Sequence, residues 1–172
     1  MARKLYLVRH GTVDANAEKR YIGCRCNPAL NNEGRLQAKC LADSLAAYPI
    51  QRILCSPLLR TKETAERIAA STGAPLDIDG RLAEVDFGRW DGKTFEEIAA
   101  EDPHLVQQWA EYGTTFTFPQ GELIAAFLES TANMARALMT RRESSVCAVT
   151  HGGTLRAILC HCLGLTYEHQ AI

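Results

Sequence analysis

LYLVRHGTV, residues 5–13, has the composition of a buried strand that ends in a polar turn. Apolar and aromatic side chains predominate up to Val8, and Gly11 follows closely, so the pattern predicts a strand over 4–9. Arg9 and His10 then lie side by side where the strand gives way to the turn. A buried strand end rarely carries two adjacent polar side chains without a use for them, and their placement indicates a functional site.

Helix-like and strand-like segments alternate through the remainder of the sequence. Further strands are predicted at 52–56, 74–79 and 144–151. Helices are predicted at 31–48, 58–73, 95–101, 104–112, 121–142 and 154–164. Strands that alternate with helices imply right-handed crossovers, so the predicted fold is α/β: a three-layer α/β/α sandwich with a mostly parallel central sheet. The length of 172 residues fits one domain, 1–172.

Periodic apolar positions predict which side of two helices faces the core. In the helix capped by Asn31 or Asn32, the predicted stripe comprises Leu36, Cys40, Leu41 and Leu45. In the helix at 121–142 it comprises Ile124, Phe127, Leu128, Ala135, Leu138 and Met139. Cys40, Cys55 and Cys147 fall in such segments and are predicted to be small buried hydrophobic residues. The other four cysteines form two C-x-C pairs, Cys24/Cys26 and Cys160/Cys162, whose spacing matches neither zinc knuckles nor redox motifs.

The composition excludes several classes of protein. Nineteen Lys and Arg balance 20 Asp and Glu, so no nucleic-acid partner is expected. No apolar run is long enough to span a membrane, and the first ten residues lack the long apolar region of a signal peptide. We therefore expect a cytoplasmic protein with no membrane partner and with reduced thiols. A homodimer remains possible.

Polar groups lie at the carboxyl ends of three of the predicted strands or just beyond them. They are Arg9 and His10 at the first, Ser56 and Arg60 at the second, and His151 and Gly152 at the last. In open parallel sheets, ligands bind in the crevice outside the carboxyl ends of the strands, so these groups should meet. Arginine matches phosphate oxygens with two parallel hydrogen bonds, and glycine amides at helix N-termini favour anions. The sequence therefore predicts a site for a phosphoryl group.

Histidine at this position can act as the nucleophile. A neutral imidazole attacks phosphorus well, and the neighbouring Arg9 and Arg60 should lower the pKa of His10 by charge repulsion. The two guanidinium groups would also stabilise the oxygens of the transition state, a task that other enzymes give to Mg²⁺. We therefore expect neither a cofactor nor a bound metal.

The departing alkoxide needs a proton, for which Glu84 is the best candidate and Asp86 and Asp91 are alternatives. A carboxyl group beside a phosphate dianion holds its proton more readily, as a general acid requires. Taken singly, a strand-end histidine, an arginine or a loop glutamate is more often structural. Together, at strand-to-helix turns, they favour a catalytic site.

Five segments resemble the histidine phosphatase superfamily, also called phosphoglycerate mutase-like, and occur in the order that this family has. They are LVRHGTVDAN (7–16), NPALNNEGRLQA (27–38), CSPLLRTKETA (55–65), LAEVDFGRWDGKTFEEI (82–98) and VTHGGTLRAI (149–158). The resemblance covers residues 4 to about 164. It implies that His10 becomes phosphohistidine and that Glu84 supplies the acid. It also implies phosphate contacts from Arg9, Asn16, Arg60, His151 and the Gly152 amide; Tyr21 and Gly23 are further candidate substrate contacts.

Two features depart from the family pattern. Where the family usually has R-H-G-E-T, this sequence has Thr12 and Val13 in the last two positions, and Val13 offers no hydroxyl group. Family members usually continue into another strand after the last helix, whereas this sequence stops at Ile172, so that either the product is short or a tail is absent.

Within this family the resemblance favours hydrolysis of a small phosphorylated metabolite. Family mutases carry extra segments between the acid and the second histidine, and the interval from Glu84 to His151 is compact. The segment EVDFGRWDG, residues 84–92, looks most like family phosphatases, including those that act on α-ribazole 5′-phosphate. A cofactor-dependent phosphoglycerate mutase is one alternative. A non-catalytic phosphate-binding module is the other, although such a module would lose the nucleophile or the acid.

Overall fold

A parallel sheet of four strands forms the centre of the protein in a computed structural model, which describes residues 3–166. The strands are β1 (Lys4–Arg9), β2 (Arg52–Cys55), β3 (Leu76–Ile78) and β4 (Ser145–Thr150), in the spatial order β1-β4-β2-β3. Every neighbouring pair is parallel. The residues of β4, SVCAVT, are all buried, as expected for a continuous apolar run between two neighbouring strands.

Helices cover both faces of this sheet. Residues 3–166 contain α1 (Asp14–Ala17), α2 (Asn32–Leu45), α3 (Leu59–Thr72), α4 (Phe95–Glu101), α5 (Pro103–Tyr112), α6 (Ile124–Met139) and α7 (Gly152–Leu163). Side chains of α2 and α3 share one buried cluster with the sheet, and those of α6 and α7 share another. The predicted three-layer α/β/α architecture is confirmed. None of the helices in the described range is long and apolar enough to cross a membrane.

The predicted buried face of α2 is right for Leu45, which is buried, and for Leu41, which packs partly buried against the core, but wrong for Leu36 and Cys40. Gly34, Ala38, Ala42 and Leu45 are its buried residues, whereas Leu36 is 61% exposed and Cys40 is exposed. The reason is close packing: α2 lies against α3 and against the turn after β1, where small side chains fit and larger ones do not. The cap of this helix is Asn31, whose side chain accepts a hydrogen bond from the Gly34 amide at 2.9 Å.

The structure also tests the predictions for the cysteines and for Met139, and it adds the short helix α1. Cys55 and Cys147 are buried as predicted, and the seven cysteines, all within the described range, are free thiols. Met139, predicted in the stripe of α6, is 42% exposed because it is the last residue of that helix. The short helix α1 was not predicted, since four residues carry too little periodicity to be recognised.

A contact between two glycines fixes the turn that follows β1. A Cβ atom on Gly11 would lie 2.4 Å from the Gly34 carbonyl oxygen, and one on Gly34 would lie 2.1 Å from the Thr12 oxygen. Only glycine at both positions lets this turn pack directly on α2. Thr12 adds two hydrogen bonds to the Gln37 side chain of the same helix. The backbone on either side of His10 is therefore held by the sheet and by α2.

Candidate active site

His10 lies at the carboxyl end of β1 with both ring nitrogens engaged. Its backbone N–H donates to the Thr150 carbonyl at 3.0 Å, which continues the sheet by one residue. Nδ1 lies 2.7 Å from the Gly11 carbonyl, and the Arg60 Nε–H donates to Nε2 at 3.3 Å. Because a carbonyl only accepts and a guanidinium only donates, Nδ1 carries the proton and Nε2 carries the lone pair. The ring is thus held in the tautomer that a nucleophile attacking through Nε2 requires.

The pKa of His10 is lowered to about 4. Burial is the largest cause; the hydrogen bond to Gly11 opposes it, and the charges of Arg60 and Arg9 lower it further. The predicted lowering of the His10 pKa is thus correct, although burial of the ring away from water lowers the pKa more than the charges of the two arginines do.

We expect the imidazole of His10 to remain neutral in the free protein from pH 8 down to about pH 5. A lowered pKa means that the proton binds only when the pH approaches 4, whereas an ordinary histidine is protonated below about 6.5. NMR titration of the ring signals, with His10 identified by their loss in His10→Asn, measures this directly. The same signal in urea-unfolded protein should titrate near the ordinary value. A midpoint above pH 6 in the folded protein would contradict the buried, neutral nucleophile.

Arg60, the second residue of α3, is 1% exposed and is held by backbone carbonyl groups. Its guanidinium donates to the oxygens of Cys26 at 3.0 Å, Gly23 at 3.0 Å and Ile22 at 3.4 Å. These contacts engage both terminal nitrogens, leave one N–H of Nη1 without an acceptor among residues 3–166, and direct Nε at His10. The loop 22–26 therefore fixes the position of this cation.

Asp91 organises that loop from the opposite side. Its carboxylate accepts backbone hydrogen bonds from Gly23 at 2.9 Å, Arg25 at 2.9 Å and Cys26 at 3.2 Å. With these bonds it fixes the loop whose carbonyls hold Arg60. Asp91 does not line the cavity beside His10, and neither does Asp86, which pairs with Arg25 at 2.7 Å. The geometry therefore favours Glu84 over both as the acid.

Asp91→Asn should lower kcat/KM for phosphate-ester hydrolysis by about 10- to 100-fold, the range expected for one lost hydrogen bond to a charged group. The amide NH₂ replaces an acceptor with a donor, so at least one loop amide loses its partner and Arg60 its fixed position. The inhibition constant of vanadate should rise as well. Asp43→Asn, on the exposed side of α2, is the matched control. Equal activity of the two variants would show that the loop holds Arg60 without Asp91.

His151 precedes α7, and its ring lies edge-on to that of His10 with centroids 5.2 Å apart. Burial is the main cause that lowers the pKa of His151, to about 2, so the ring is neutral. Nε2 lies 2.8 Å from the Ser56 hydroxyl oxygen, whereas Nδ1 is buried and has no hydrogen-bond partner among residues 3–166. A buried polar atom without a partner is costly, and an oxygen of a bound phosphoryl group would satisfy it.

Glu84 lies at the N-terminus of α7. Its carboxylate accepts hydrogen bonds from the Gly153 amide at 2.9 Å, the Thr154 amide at 3.1 Å and the Thr154 hydroxyl at 3.1 Å. The helix that follows His151 therefore also positions the candidate acid. Sequence reasoning identified the residue but gave no sign of this anchor, which lies about 70 positions further along the chain.

A cavity of about 500 Å³ opens beside His10. Arg9, Asn16, Glu84 and Gly152, the candidate phosphate contacts and acid, line it, whereas Arg60 and His151 do not. Their roles toward a phosphoryl group stay predictions. The Arg9 guanidinium has no hydrogen-bond or ion-pair partner among residues 3–166 and is available to an anion. The side-chain oxygen of Asn16 accepts a hydrogen bond from the Val13 amide. The NH₂ group of the same side chain is therefore the part that can donate to a ligand. Val13 itself is fully buried against Leu30 and Ala38, where a methyl group replaces the usual hydroxyl.

Tyr21 and Gly23, the two remaining predicted contacts, differ in position. Tyr21 lines the cavity, with its ring against Phe87 and Trp109. Gly23 does not line it; its amide donates to Asp91 and its carbonyl accepts from Arg60. The structure thus gives Gly23 a part in positioning Arg60, and its contact with phosphate stays a prediction.

Aromatic residues on one side of the cavity were not predicted as site residues. Trp109 and Phe118 line it, and so does Phe127, which sequence periodicity assigned to the core. An apolar position on a helix looks the same in sequence whether it faces a core or a cavity. Within the described residues, no cluster of three or more His, Cys, Asp or Glu is arranged to hold a metal ion.

Comparison with known proteins assigns the family. Residues 5–171 match the histidine phosphatase superfamily (branch 1). Phosphoserine phosphatase 1 of Hydrogenobacter thermophilus is 32% identical over 163 residues, which are 94% of this chain and 77% of that protein. The chain belongs to the histidine phosphatase superfamily, so the resemblance and the prediction of a phosphatase-type enzyme are confirmed.

Solved structures agree with this assignment. The α-ribazole phosphatase from Shigella flexneri has a TM-score of 0.87 and 27% identity, covering 95% of this chain and 81% of that one. A mycobacterial glucosyl-3-phosphoglycerate phosphatase has a TM-score of 0.83 and 29% identity, covering 96% and 82%. The three relatives are named for different substrates, and their names leave the substrate of this chain open.

Proposed function

We propose that this protein hydrolyses the phosphomonoester of a small metabolite through a phosphohistidine intermediate at His10. The observation that carries the proposal is the state of the His10 ring: Nδ1–H donates to the Gly11 carbonyl, and the Nε2 lone pair faces Arg60. Beside it lie Arg9, which lines the cavity, and the ring of His151, whose buried Nδ1 has no partner among the described residues; both are suited to phosphate oxygens. A histidine with only a structural role would not need Arg9 and His151 beside its ring.

The reaction follows from these positions in two steps. In the first, His10 Nε2 forms a bond to phosphorus while the bond from phosphorus to the ester oxygen breaks, and Glu84 gives its proton to the departing oxygen. In the second, water attacks the phosphohistidine, Glu84 takes a proton from that water, and the bond between phosphorus and Nε2 breaks. Arg9 and Arg60 stabilise the negative oxygens in both transition states.

The substrate proposed in particular is α-ribazole 5′-phosphate. The structural similarity to an α-ribazole phosphatase supports it, and so does the segment 84–92, which resembles such enzymes. Retention of both His10 and Glu84 argues against a non-catalytic binding module.

We expect purified protein to hydrolyse p-nitrophenyl phosphate, and the rate to persist in EDTA, because arginines supply the positive charge at the phosphate. Release of p-nitrophenolate in buffer with and without EDTA measures this. Strict dependence on an added divalent ion would contradict the proposed mechanism. A parallel assay for isomerisation of 3-phosphoglycerate tests the mutase alternative, which predicts conversion without release of phosphate.

A further inference from the structure

The cavity beside His10 extends well beyond the groups that would bind a phosphoryl group. Its volume of about 500 Å³ lies in the range of sites that enclose a whole organic ligand. Arg9, His10 and Glu84 form only part of its lining, and the alcohol part of a substrate must therefore contact the rest.

Apolar side chains, five of them aromatic, form most of the remaining lining. We define the aromatic wall as Tyr21, Phe87, Trp109, Phe118 and Phe127, all of which line the cavity. Tyr21, Phe87, Trp109 and Phe127 are only partly buried, so ring surface is exposed to whatever fills the cavity. Tyr21 lies edge-on to Phe87 and to Trp109, with centroids 5.4 and 6.1 Å apart, and Phe87 lies edge-on to Phe118 at 5.0 Å. These contacts hold the wall in place before any ligand binds.

Apart from Arg9, which is assigned to the phosphoryl group, the arginines that line the cavity already have partners. Arg20 pairs with Glu18 at 2.7 Å and with Glu97 at 3.0 Å, and it also donates to the Gly92 carbonyl. Arg156 also lines the cavity, and it has an interaction partner of its own. A carboxylate on the alcohol part would meet the negative faces of aromatic rings and would lose water without a dedicated cation to replace it.

We propose that the aromatic wall is a leaving-group subsite that selects phosphomonoesters whose alcohol part carries an uncharged apolar or aromatic group. Alcohol parts that bear a carboxylate, such as serine or glycerate, are disfavoured. The inference rests on the proposed function and adds the chemical class of the substrate. It also assigns Phe127, on α6, a direct part in specificity, since this ring is the contribution of that helix to the wall.

Three phosphonates with the same three-carbon chain test the subsite without the confounding effect of leaving-group reactivity. Propylphosphonate ends in a methyl group, 3-phenylpropylphosphonate ends in a phenyl ring, and 4-phosphonobutyrate ends in a carboxylate. Competitive inhibition of p-nitrophenyl phosphate hydrolysis gives their inhibition constants. We expect the phenyl compound to bind about 10- to 100-fold more tightly than propylphosphonate. The carboxylate compound should bind no more tightly than propylphosphonate.

Phe127→Ala should reduce the advantage of the phenyl compound by about 3- to 10-fold and leave propylphosphonate unchanged. Phe95→Ala is the matched control, because Phe95 is exposed on α4 and does not line the cavity. The comparison of three inhibitors in the unaltered protein does not depend on the folding of either variant.

The outcomes separate the two proposals. A carboxylate compound that binds more tightly than propylphosphonate, or a phenyl ring that adds no affinity, would overturn the aromatic subsite while hydrolysis itself stands. If p-nitrophenyl phosphate is not hydrolysed and propylphosphonate does not bind in a direct titration, the proposed function fails, and the subsite fails with it.

Discussion

His10→Ala should lower kcat for phosphate-ester hydrolysis by at least about 10⁴-fold, the scale seen when an enzyme loses its nucleophile. The variant keeps Arg9, Arg60 and Glu84 and so can still bind the phosphoryl group, but it has no lone pair in line with phosphorus. It should also lose the acid-labile, base-stable phosphoenzyme that labelled substrate forms with the unaltered protein.

The matched control is His104→Ala, which removes an exposed histidine on α5. It should retain both activity and phosphoenzyme. His151 is the alternative nucleophile to test, because its ring centroid lies 5.2 Å from that of His10 and its buried Nδ1 has no partner among the described residues. A His10→Ala variant that still accumulates phosphohistidine would place the nucleophile on His151 and overturn the assignment.

The position of the site follows from sequence because strand ends are easy to locate. Three apolar runs end in polar side chains, and parallel strands bring those ends to one edge. His10 and Ser56 accordingly donate backbone hydrogen bonds to neighbouring residues of β4, at 3.0 and 3.1 Å. No knowledge of side-chain packing is needed for that inference, since the backbone pattern of the sheet enforces it.

Contacts between distant segments could not be predicted in the same way. Asp91 is an ordinary loop aspartate in sequence, and only the folded chain brings it against the amides of residues 23–26. The prediction that Leu36 and Cys40 lie on the buried face of α2 is wrong for a related reason. Periodicity weights large apolar side chains such as Leu36, whereas close helix packing selects small ones such as Ala38. Both cases depend on which surface lies opposite, which a single periodic segment does not specify.

Glu84→Gln should have unequal effects on two substrates with different leaving groups. An alkyl phosphate departs as a strongly basic alkoxide, for which general acid assistance is typically worth about 10²–10⁴-fold. p-Nitrophenolate is a stable anion that needs almost no proton. We therefore expect a loss in that range for a sugar phosphate and a much smaller loss for p-nitrophenyl phosphate.

The anchor of Glu84 on α7 determines how this experiment must be controlled. The carboxylate accepts from two backbone amides, so glutamine also places an NH₂ group against a donor and can shift the turn. Such a shift would slow both substrates alike. Glu122→Gln is the matched control: Glu122 is partly buried, accepts from the Asp86 amide at 3.3 Å and does not line the cavity. It should leave both rates nearly unchanged.

Single-turnover measurement isolates the step in which the acid acts. Under these conditions only phosphorylation of His10 is observed, so the role of Glu84 as a base toward water in the second step does not enter. The quantity to compare is the loss for the sugar phosphate divided by the loss for p-nitrophenyl phosphate. A ratio well above one assigns the proton to Glu84, because displacement of the turn cannot depend on the basicity of the leaving group. A ratio near one would assign it elsewhere and leave Glu84 as a cap that holds α7, and with it His151, beside the nucleophile.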